Sequence, residues 1–357
     1  MSLFCSLVLL LASIASVGAQ TFTKCNPLNE TCPPDPALGT HHSWTFNETL
    51  NDKVWNVTNG EIEYTEHGGE FTIKEKLDSP TLQSNFYIFF GVVETHVKMA
   101  PGVGVVSSVV LQSADLDEVD WEWVGYNTSG VETNYYGKGV PEYTNTGHHH
   151  VENADTEFHN YTTHWTQEKL EWWVDGLLVR TLKYEEAKGG QRYPQTPSNV
   201  RFGVWPAGDP SNPKGTIQWA GGVVDYEAGP YTMVVQDVRV HDFHSGKQYV
   251  YTDHSGSFES IKVVEGNSTT VKEISKPPEL SASEKWDNLS QGAKIGIYCA
   301  IAAVAAIAIA AFVLYFLKQR RRGRLEHALD DAKWNAERTE MTDFQSGWRR
   351  GGYQPVS

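Results

Sequence analysis

The chain has 357 residues and a formal net charge of −15, with 40% hydrophobic, 20% charged and 12% aromatic residues. This hydrophobic content is sufficient for a folded core, which excludes a disordered or collagen-like chain. The negative charge argues against a general nucleic-acid-binding protein, which would carry a basic excess. An acidic chain with 31 glycines and many aromatic residues favours a β-protein that binds neutral ligands such as sugars.

The chain begins with an apolar segment that is typical of a secretory signal peptide. Residues 1–19 read MSLFCSLVLLLASIASVGA and end in small residues, which predicts cleavage before Gln20. Seven N-x-[ST] motifs follow and predict glycosylation in the secretory pathway. The predicted acceptors are Asn29, Asn47, Asn56, Asn127, Asn160, Asn267 and Asn288.

Residues 20–255 are predicted to form an all-β domain, a jelly-roll β-sandwich. Between about Thr40 and Asp253, short runs rich in β-branched and aromatic residues are separated by turn signals. Asp175-Gly176, between WWV and LLV, is typical of a two-residue hairpin turn. No long amphipathic helical pattern interrupts this part of the sequence.

The segment DEVDWEWVG at 117–125 contains the candidate catalytic residues. Side chains alternate between the two faces of a strand, so Glu118, Asp120 and Glu122 should share one face. Adjacent carboxylates repel one another, and at least one pKa is expected to rise toward neutrality. We predict that one glutamate is a nucleophile and the other a general acid and base, with Asp120 holding or sharing a proton.

Other interpretations of this strand stay open. A calcium site would more often use oxygen ligands from a loop with Gly and Asn. A solvated strand would more often mix Lys and Thr with its acids. Two glutamates four residues apart can approach the ~5–5.5 Å carboxyl separation of retaining glycosidases, and the ~6.5–9.5 Å of inverting enzymes is less favoured. A non-catalytic carbohydrate-binding protein and a membrane-anchored adhesion or sensor protein are the alternatives to an enzyme.

Several residues outside this strand are candidates for contact with a sugar. Trp205 and Trp219 offer aromatic faces to pyranose rings, with core packing as the alternative. Arg201 is a candidate contact whose alternative is a surface ion pair. Gln112 and His159 are candidates to line the cleft, and His159 has a structural role as its alternative.

The run His148-His149-His150 is interpreted as a polar loop. Consecutive residues point in different directions, and no further ligands stand at a metal-binding spacing. We therefore expect no metal and no cofactor.

The composition changes after the predicted β-domain. Residues 256–292 are enriched in Ser, Thr, Lys, Glu and Pro, which predicts a glycosylated stalk. Residues 295–317 are uncharged and mostly apolar, and a helix of this length would span a hydrocarbon core of ~30 Å. The basic run KQRRRGR follows and predicts that the tail, 318–357, is cytosolic. A lipid-anchor signal is disfavoured because it would end the chain with its apolar segment.

The distribution of charge and cysteine agrees with a single-pass membrane protein. Residues 318–357 carry a net charge of +3 and the preceding residues −18, as expected for a basic segment beside an anionic inner leaflet. Cys5 belongs to the signal peptide and Cys299 to the predicted span. Cys25 and Cys32 are thus left to form a disulfide in an oxidising lumen.

These motifs resemble glycoside hydrolase family 16. EVDWE matches the family signature E-[VIL]-D-x-E, and FHNYTTHW at 158–165, continuing to VDG at 174–176, resembles a second family block. DEVDWEWVG, the cysteine pair, RFGVW at 201–205 and TIQWAGG at 216–222 are similar to the Crh-type crosslinking transglycosylases of fungal cell walls. The resemblance covers roughly residues 20–262.

The resemblance implies Glu118 as nucleophile, Glu122 as acid and base, and Asp120 as helper. It also implies chitin contacts, from Glu122, Arg201, Trp205 and Thr216. The implied activity is cleavage of chitin and transfer of the fragment to β-glucan or chitin outside the plasma membrane. One departure is the anchor, because many relatives end in a lipid-anchor signal.

Plant xyloglucan endotransglycosylases are the nearest look-alike, with a related DEIDFEFLG strand. They normally end in a cysteine-bearing extension that this chain lacks, and the cysteine pair favours the fungal group. A β-glucan or xyloglucan hydrolase or endotransglycosylase of the same fold is therefore the alternative function.

Overall fold

The computed structural model describes residues 22–276 and 286–350. The chain divides into two compact units, Met1–Lys276 and Pro277–Ser357. The predicted signal peptide, 1–19, lies outside the described residues, as does the part of the predicted stalk between 277 and 285.

The first unit consists mainly of short β-strands. They are β1 (Asp35–Pro36), β2 (His41–Thr45), β3 (Trp55–Asn59), β4 (Ile62–Thr65), β5 (Gly68–Ile73), β6 (Thr81–Ser84), β7 (Gly91–Lys98), β8 (Val106–Ser113), β9 (Glu118–Val124), β10 (Gly130–Tyr136), β11 (Gly147–His150), β12 (His159–Trp165), β13 (Lys169–Val174), β14 (Leu177–Lys183), β15 (Ser198–Trp205), β16 (Tyr231–Asp242), β17 (Gln248–Tyr251) and β18 (Ile261–Val264). The α-helices of the described chain are α1 (Lys214–Trp219), α2 (Thr269–Ile274) and α3 (Gln291–Arg350). Single 3₁₀ turns are formed by Tyr143–Asn145, Tyr184–Glu186, Tyr226–Ala228 and Phe258–Ser260.

Two antiparallel sheets pack face to face. The seven-stranded sheet has the order β11-β10-β9-β8-β15-β6-β3. The eight-stranded sheet has the order β14-β13-β12-β7-β16-β5-β4, and β2 also pairs with β16. A small third sheet has the order β1-β17-β18. This arrangement confirms the predicted jelly-roll sandwich.

The core between the sheets fixes the orientation of β9. Trp121 and Trp123 point inward, and their ring centroids lie 5.3 and 4.6 Å from that of Tyr161 on β12. Nε1 of Trp172 donates to the backbone oxygen of Asp120 at 3.2 Å. Because this face of β9 is fixed against the second sheet, the alternating acidic side chains must point away from the core.

The predicted hairpin at Asp175-Gly176 is confirmed. It joins β13 to β14, and both residues have a positive φ, 48° and 76°. Two successive left-handed residues match the right-handed twist of the flanking strands, which explains the Asp-Gly sequence.

The folded unit extends past the predicted boundary at residue 255. β18 pairs with β17, and Ile261 and Val263 pack against the core. Ser268 is buried, caps α2 and donates its hydroxyl to the backbone oxygen of Leu38 at 3.3 Å. The predicted stalk, 256–292, therefore begins too early, because its first polar residues are helix caps and buried hydrogen-bonding groups.

The second unit contains α3, whose segment Gln291–Asp343 is long and apolar enough to cross a membrane, with a mean hydropathy of 2.7 over 18 residues. It includes the predicted span, 295–317, and the helix continues into the predicted tail. The cytosolic orientation of that tail stays a prediction.

Two predicted modifications differ in their outcome. Cys25 and Cys32 form the predicted disulfide. Six predicted glycosylation acceptors are exposed, whereas Asn160 lies half-buried in β12, where its Nδ2 donates to Glu94 at 2.9 Å. A glycan would be attached to the same nitrogen that donates to Glu94. Occupancy of the seven motifs stays a prediction.

The revised boundary predicts the effect of truncation. A chain ending at Lys276 should keep the melting temperature of a chain that ends at Ser290, just before α3. One ending at Gly256 loses the apolar residues of β18 and α2 and should melt roughly 10 °C lower, since each kcal/mol shifts the midpoint by ~2–4 °C. Circular dichroism measures the melting temperatures of the two truncated chains. Equal midpoints would show that residues 257–276 belong to the stalk and not to the folded unit.

Candidate active site

The beginning of β9 is held in place by a buried aspartate. The carboxyl group of Asp117 accepts hydrogen bonds from the backbone N–H groups of Lys138 and Gln195, at 2.9 and 2.8 Å. It also accepts one from the hydroxyl of Thr196 at 2.8 Å. Three contacts from two distant segments fix where β9 starts and hence where its later acids lie.

Glu118, Asp120 and Glu122 line one cleft of about 850 Å³ on the outer face of the seven-stranded sheet. The predicted sharing of one face by these acids is confirmed. The other lining residues are Phe22, Thr23, Gln112, Leu116, Glu132, Asn134, Tyr136, Gly139, Pro141, Thr146, His148, Trp205, Pro213, Gly215, Thr216 and Trp219.

Asp120 is the most deeply buried of the three acids, with 1% of its surface exposed. Burial, and then the charges of Glu118 and Glu122, raise its pKa well above the ordinary range. Its two carboxyl oxygens meet no N–H or hydroxyl donor among the described residues, and its hydrogen-bond partner is the carboxyl group of Glu118. Two carboxyl groups can bond only if one carries a proton, and the balance of charges places that proton on Asp120.

Glu118 is the acid best able to remain ionised. Burial raises its pKa, but the hydrogen bond from Asp120 and the charge of Arg201 act in the opposite direction. Nε2 of Gln112 also donates to its Oε2 at 3.4 Å. Donors and a nearby cation favour the charged form of a carboxyl group.

Glu122 is held in its protonated form. Burial has the largest effect, followed by the charges of Glu118 and Glu132, and together they raise the pKa of Glu122 to about 8. Glu132 is directly opposite on β10 and accepts a hydrogen bond from Nε1 of Trp219 at 2.9 Å. Both Glu118 and Glu122 keep part of their surface open to the cleft, although protein atoms surround them on the other sides. The neighbours thus favour the charged form of Glu118 and the protonated form of Glu122, and acid and base catalysis requires such a difference.

The predicted sugar contacts lie at or beside this cleft. Thr216 and Trp219 belong to α1, a short helix that the sequence analysis did not predict. Trp205 is 8% exposed, and its ring centroid lies 6.1 Å from that of Trp219. Arg201 is instead buried beneath Phe22, with its guanidinium 5.0 Å from the centre of that ring. A direct sugar contact from Arg201 is therefore obstructed in this conformation, and its charge acts on Glu118.

Three comparisons identify the family. Residues 49–221 match the model for glycosyl hydrolases family 16. Crh-like protein 3 of Aspergillus fumigatus is 61% identical over the whole length of both chains. A Crh-like protein of Arthroderma benhamiae is 48% identical over 99% of this chain and 98% of its own. The chain belongs to the Crh-like proteins of family 16.

Solved structures agree with this membership. The structure of an apo Crh5 transglycosylase is 49% identical, with a TM-score of 0.65, and covers 67% of this chain and 100% of its own. A second, of the Crh5 transglycosylase in complex with NAG, has a TM-score of 0.66 at the same identity and coverage. The shared part is the Crh-like β-sandwich that carries the cleft.

Sequence reasoning missed part of this Crh-like cleft. Glu132, Asn134 and Tyr136 lie on β10 directly opposite the three acids of β9. Their spacing at every second position is the strand pattern that could have revealed them. Phe22 had no such signal, because a single aromatic residue near the start of a chain indicates no particular contact.

The histidines also differ from expectation. His148-His149-His150 belong to β11, an edge strand, and the interpretation as a loop is wrong because this run pairs with β10. His148 lines the cleft, with Nδ1 3.3 Å from Oε1 of Glu132. His159 lies on the other sheet, 2.7 Å from Asp175, which supports its structural alternative. Within the residues described, no group of three His, Cys, Asp or Glu is arranged to hold a metal.

The charge of Glu132 provides a test of the site's electrostatics. Glu132→Gln removes a like charge but keeps an oxygen that can accept from Trp219, so the pKa of Glu122 should fall from about 8 to about 7. Carboxyl ¹³C NMR measures the titration of Glu122. The Glu122 signal is identified as the one that is missing from the spectrum of Glu122→Gln. Glu63→Gln, an exposed site on the other sheet, is the matched control. An equal titration of Glu122 in wild type and Glu132→Gln would contradict the assigned coupling.

Proposed function

We propose that this Crh-like protein is a retaining transglycosylase that cleaves chitin and transfers the fragment to β-glucan or chitin. The observation that carries the proposal is the row of three acids on β9 in one cleft, where Gln112, Asp120 and Arg201 favour the charged form of Glu118, while burial and nearby charges raise the pKa of Glu122 to about 8. The family membership supports it, as does the relative named as a transglycosylase that was solved in complex with NAG.

In the first step, the Glu118 carboxylate attacks the anomeric carbon of the donor chain. The glycosidic C–O bond breaks, and Glu122 gives its proton to the departing oxygen. A covalent glycosyl–enzyme ester forms on Glu118. The proton on Asp120 stabilises the Glu118 carboxylate before the attack.

In the second step, Glu122 is a carboxylate and acts as the base. It takes the proton from a hydroxyl group of the acceptor sugar, whose oxygen attacks the anomeric carbon and displaces Glu118. Both glutamates then return to their starting protonation states. Two displacements at one carbon retain its configuration.

An acceptor sugar must outcompete water for this intermediate. Trp205, Trp219 and Thr216 lie together at one end of the acidic row and form a surface suited to a pyranose ring. Positioning by such a surface gives the hydroxyl group a high effective concentration. We propose chitin contacts for Glu122, Trp205 and Thr216, and an electrostatic role for Arg201.

The apolar part of α3 supports a proposal for where this chemistry occurs. The apolar part of α3 is suited to anchor the protein after export, with the basic run at 318–324 in the cytosol. We propose that the enzyme acts at the plasma membrane and faces the cell wall, with its exposed sequons glycosylated.

The experiment is a product assay with two labels. Labelled chito-oligosaccharide donor and a differently labelled β-glucan acceptor should give doubly labelled products, detected by mass spectrometry. Glu118→Gln should lower product formation by roughly 10³-fold or more, because the nucleophile is lost. Glu122→Gln should be nearly inactive on natural donors but should cleave donors with a good leaving group.

The other outcomes separate the alternative functions. Shorter singly labelled products alone would indicate a hydrolase, and binding without product would indicate a carbohydrate-binding protein. Transfer only with a xyloglucan donor would indicate a xyloglucan endotransglycosylase. Wild-type rates in both glutamate variants would remove the proposed mechanism.

A further inference from the structure

The first described residues of the chain lie inside the active-site cleft. Phe22 and Thr23 line the cleft beside the acids of β9. The disulfide between Cys25 and Cys32 closes a short loop immediately afterwards. We name residues 22–32 the N-terminal strap. The strap is also held at Pro27, whose backbone oxygen lies 2.5 Å from Nδ1 of His254.

The strap holds the side-chain amide of Gln112. The backbone N–H of Phe22 donates to Oε1 of Gln112 at 3.1 Å. The other end of the same amide, Nε2, donates to Oε2 of Glu118 at 3.4 Å. If the amide turned over, its nitrogen would face the Phe22 N–H and its oxygen would face the carboxylate. The N–H of Phe22 therefore selects the orientation in which Gln112 donates to Glu118.

The same strap residue also holds Arg201. The carbonyl oxygen of Phe22 accepts a hydrogen bond from Nη2 of Arg201 at 3.3 Å. Its ring lies over the guanidinium at 5.0 Å, within the range of a cation–π contact. The charge of Arg201 acts on Glu118 and favours the carboxylate form. One residue thus contacts both groups that stabilise the ionised Glu118 from the strap side.

We propose that Phe22 is a positioning residue for Glu118, acting through Gln112 and Arg201, and that the Cys25–Cys32 disulfide keeps it in place. The proposal rests on the proposed function, in which Glu118 is the nucleophile. It makes the N-terminal strap, whose disulfide forms in an oxidising compartment, a part of the catalytic site.

Proline at position 22 provides the sharpest test, because it removes the N–H donor. Phe22→Ala is the matched control, since it removes the ring and keeps the N–H. In the full chain, the acidic limb of the kcat/KM profile should lie roughly half a pH unit higher in Phe22→Pro than in Phe22→Ala, because a carboxylate that loses a donor has a higher pKa. Identical limbs would overturn the proposal.

A double-mutant cycle separates positioning from a general structural effect. In the Gln112→Ala background, Phe22→Pro and Phe22→Ala should have the same acidic limb, because the amide that distinguishes them is gone. A difference that persists unchanged in this background would overturn the route through Gln112. Should Phe22→Pro fail to fold, the Cys25→Ser/Cys32→Ser variant is compared with wild type, and an unchanged acidic limb counts against the proposal.

Glu118→Gln is measured in the same series. If it keeps wild-type activity, the proposed nucleophile is wrong and the function fails with it. If it is inactive while the Phe22 and disulfide variants keep identical acidic limbs, the nucleophile stands and the positioning role alone is rejected.

Discussion

The site depends on a strand with two opposed faces. Trp121 and Trp123 are buried between the sheets against Tyr161, and this packing determines which way β9 faces. The period of two then places Glu118, Asp120 and Glu122 together in the cleft. Because a slip of one residue would place the acids in the core, the packing of the tryptophans and the alignment of the acids are one constraint.

The closeness of the three acids gives them different protonation preferences. The three carboxyl groups cannot all be ionised at such close quarters in a site that is largely shielded from water. Donors around Glu118 favour its charge, whereas Glu132 faces Glu122 and favours its proton. Asp120, without an N–H or hydroxyl donor among the residues described, is left to share its proton with Glu118. The proposed roles of acid and nucleophile thus follow from neighbours on the adjoining strands.

Local patterns predicted much of this molecule. The alternation in DEVDWEWVG predicted the shared acidic face, and Asp175-Gly176 predicted the hairpin, because each depends on near neighbours in sequence. The strap was not predictable, since the contact between Phe22 and Gln112 joins residues 90 positions apart. The predicted stalk began too early for a similar reason. Ser268 is a polar residue typical of a stalk, but a distant contact with Leu38 buries it in the folded unit.

The most direct test of the account is to locate the covalent sugar. A chito-oligosaccharide donor with a good leaving group should glycosylate the Glu122→Gln variant rapidly, and the loss of the base should let the intermediate accumulate. Tandem mass spectrometry of the digested protein is predicted to find the sugar ester on Glu118. An ester on a different residue, or donor turnover with no ester at any time during the reaction, would contradict the central claim.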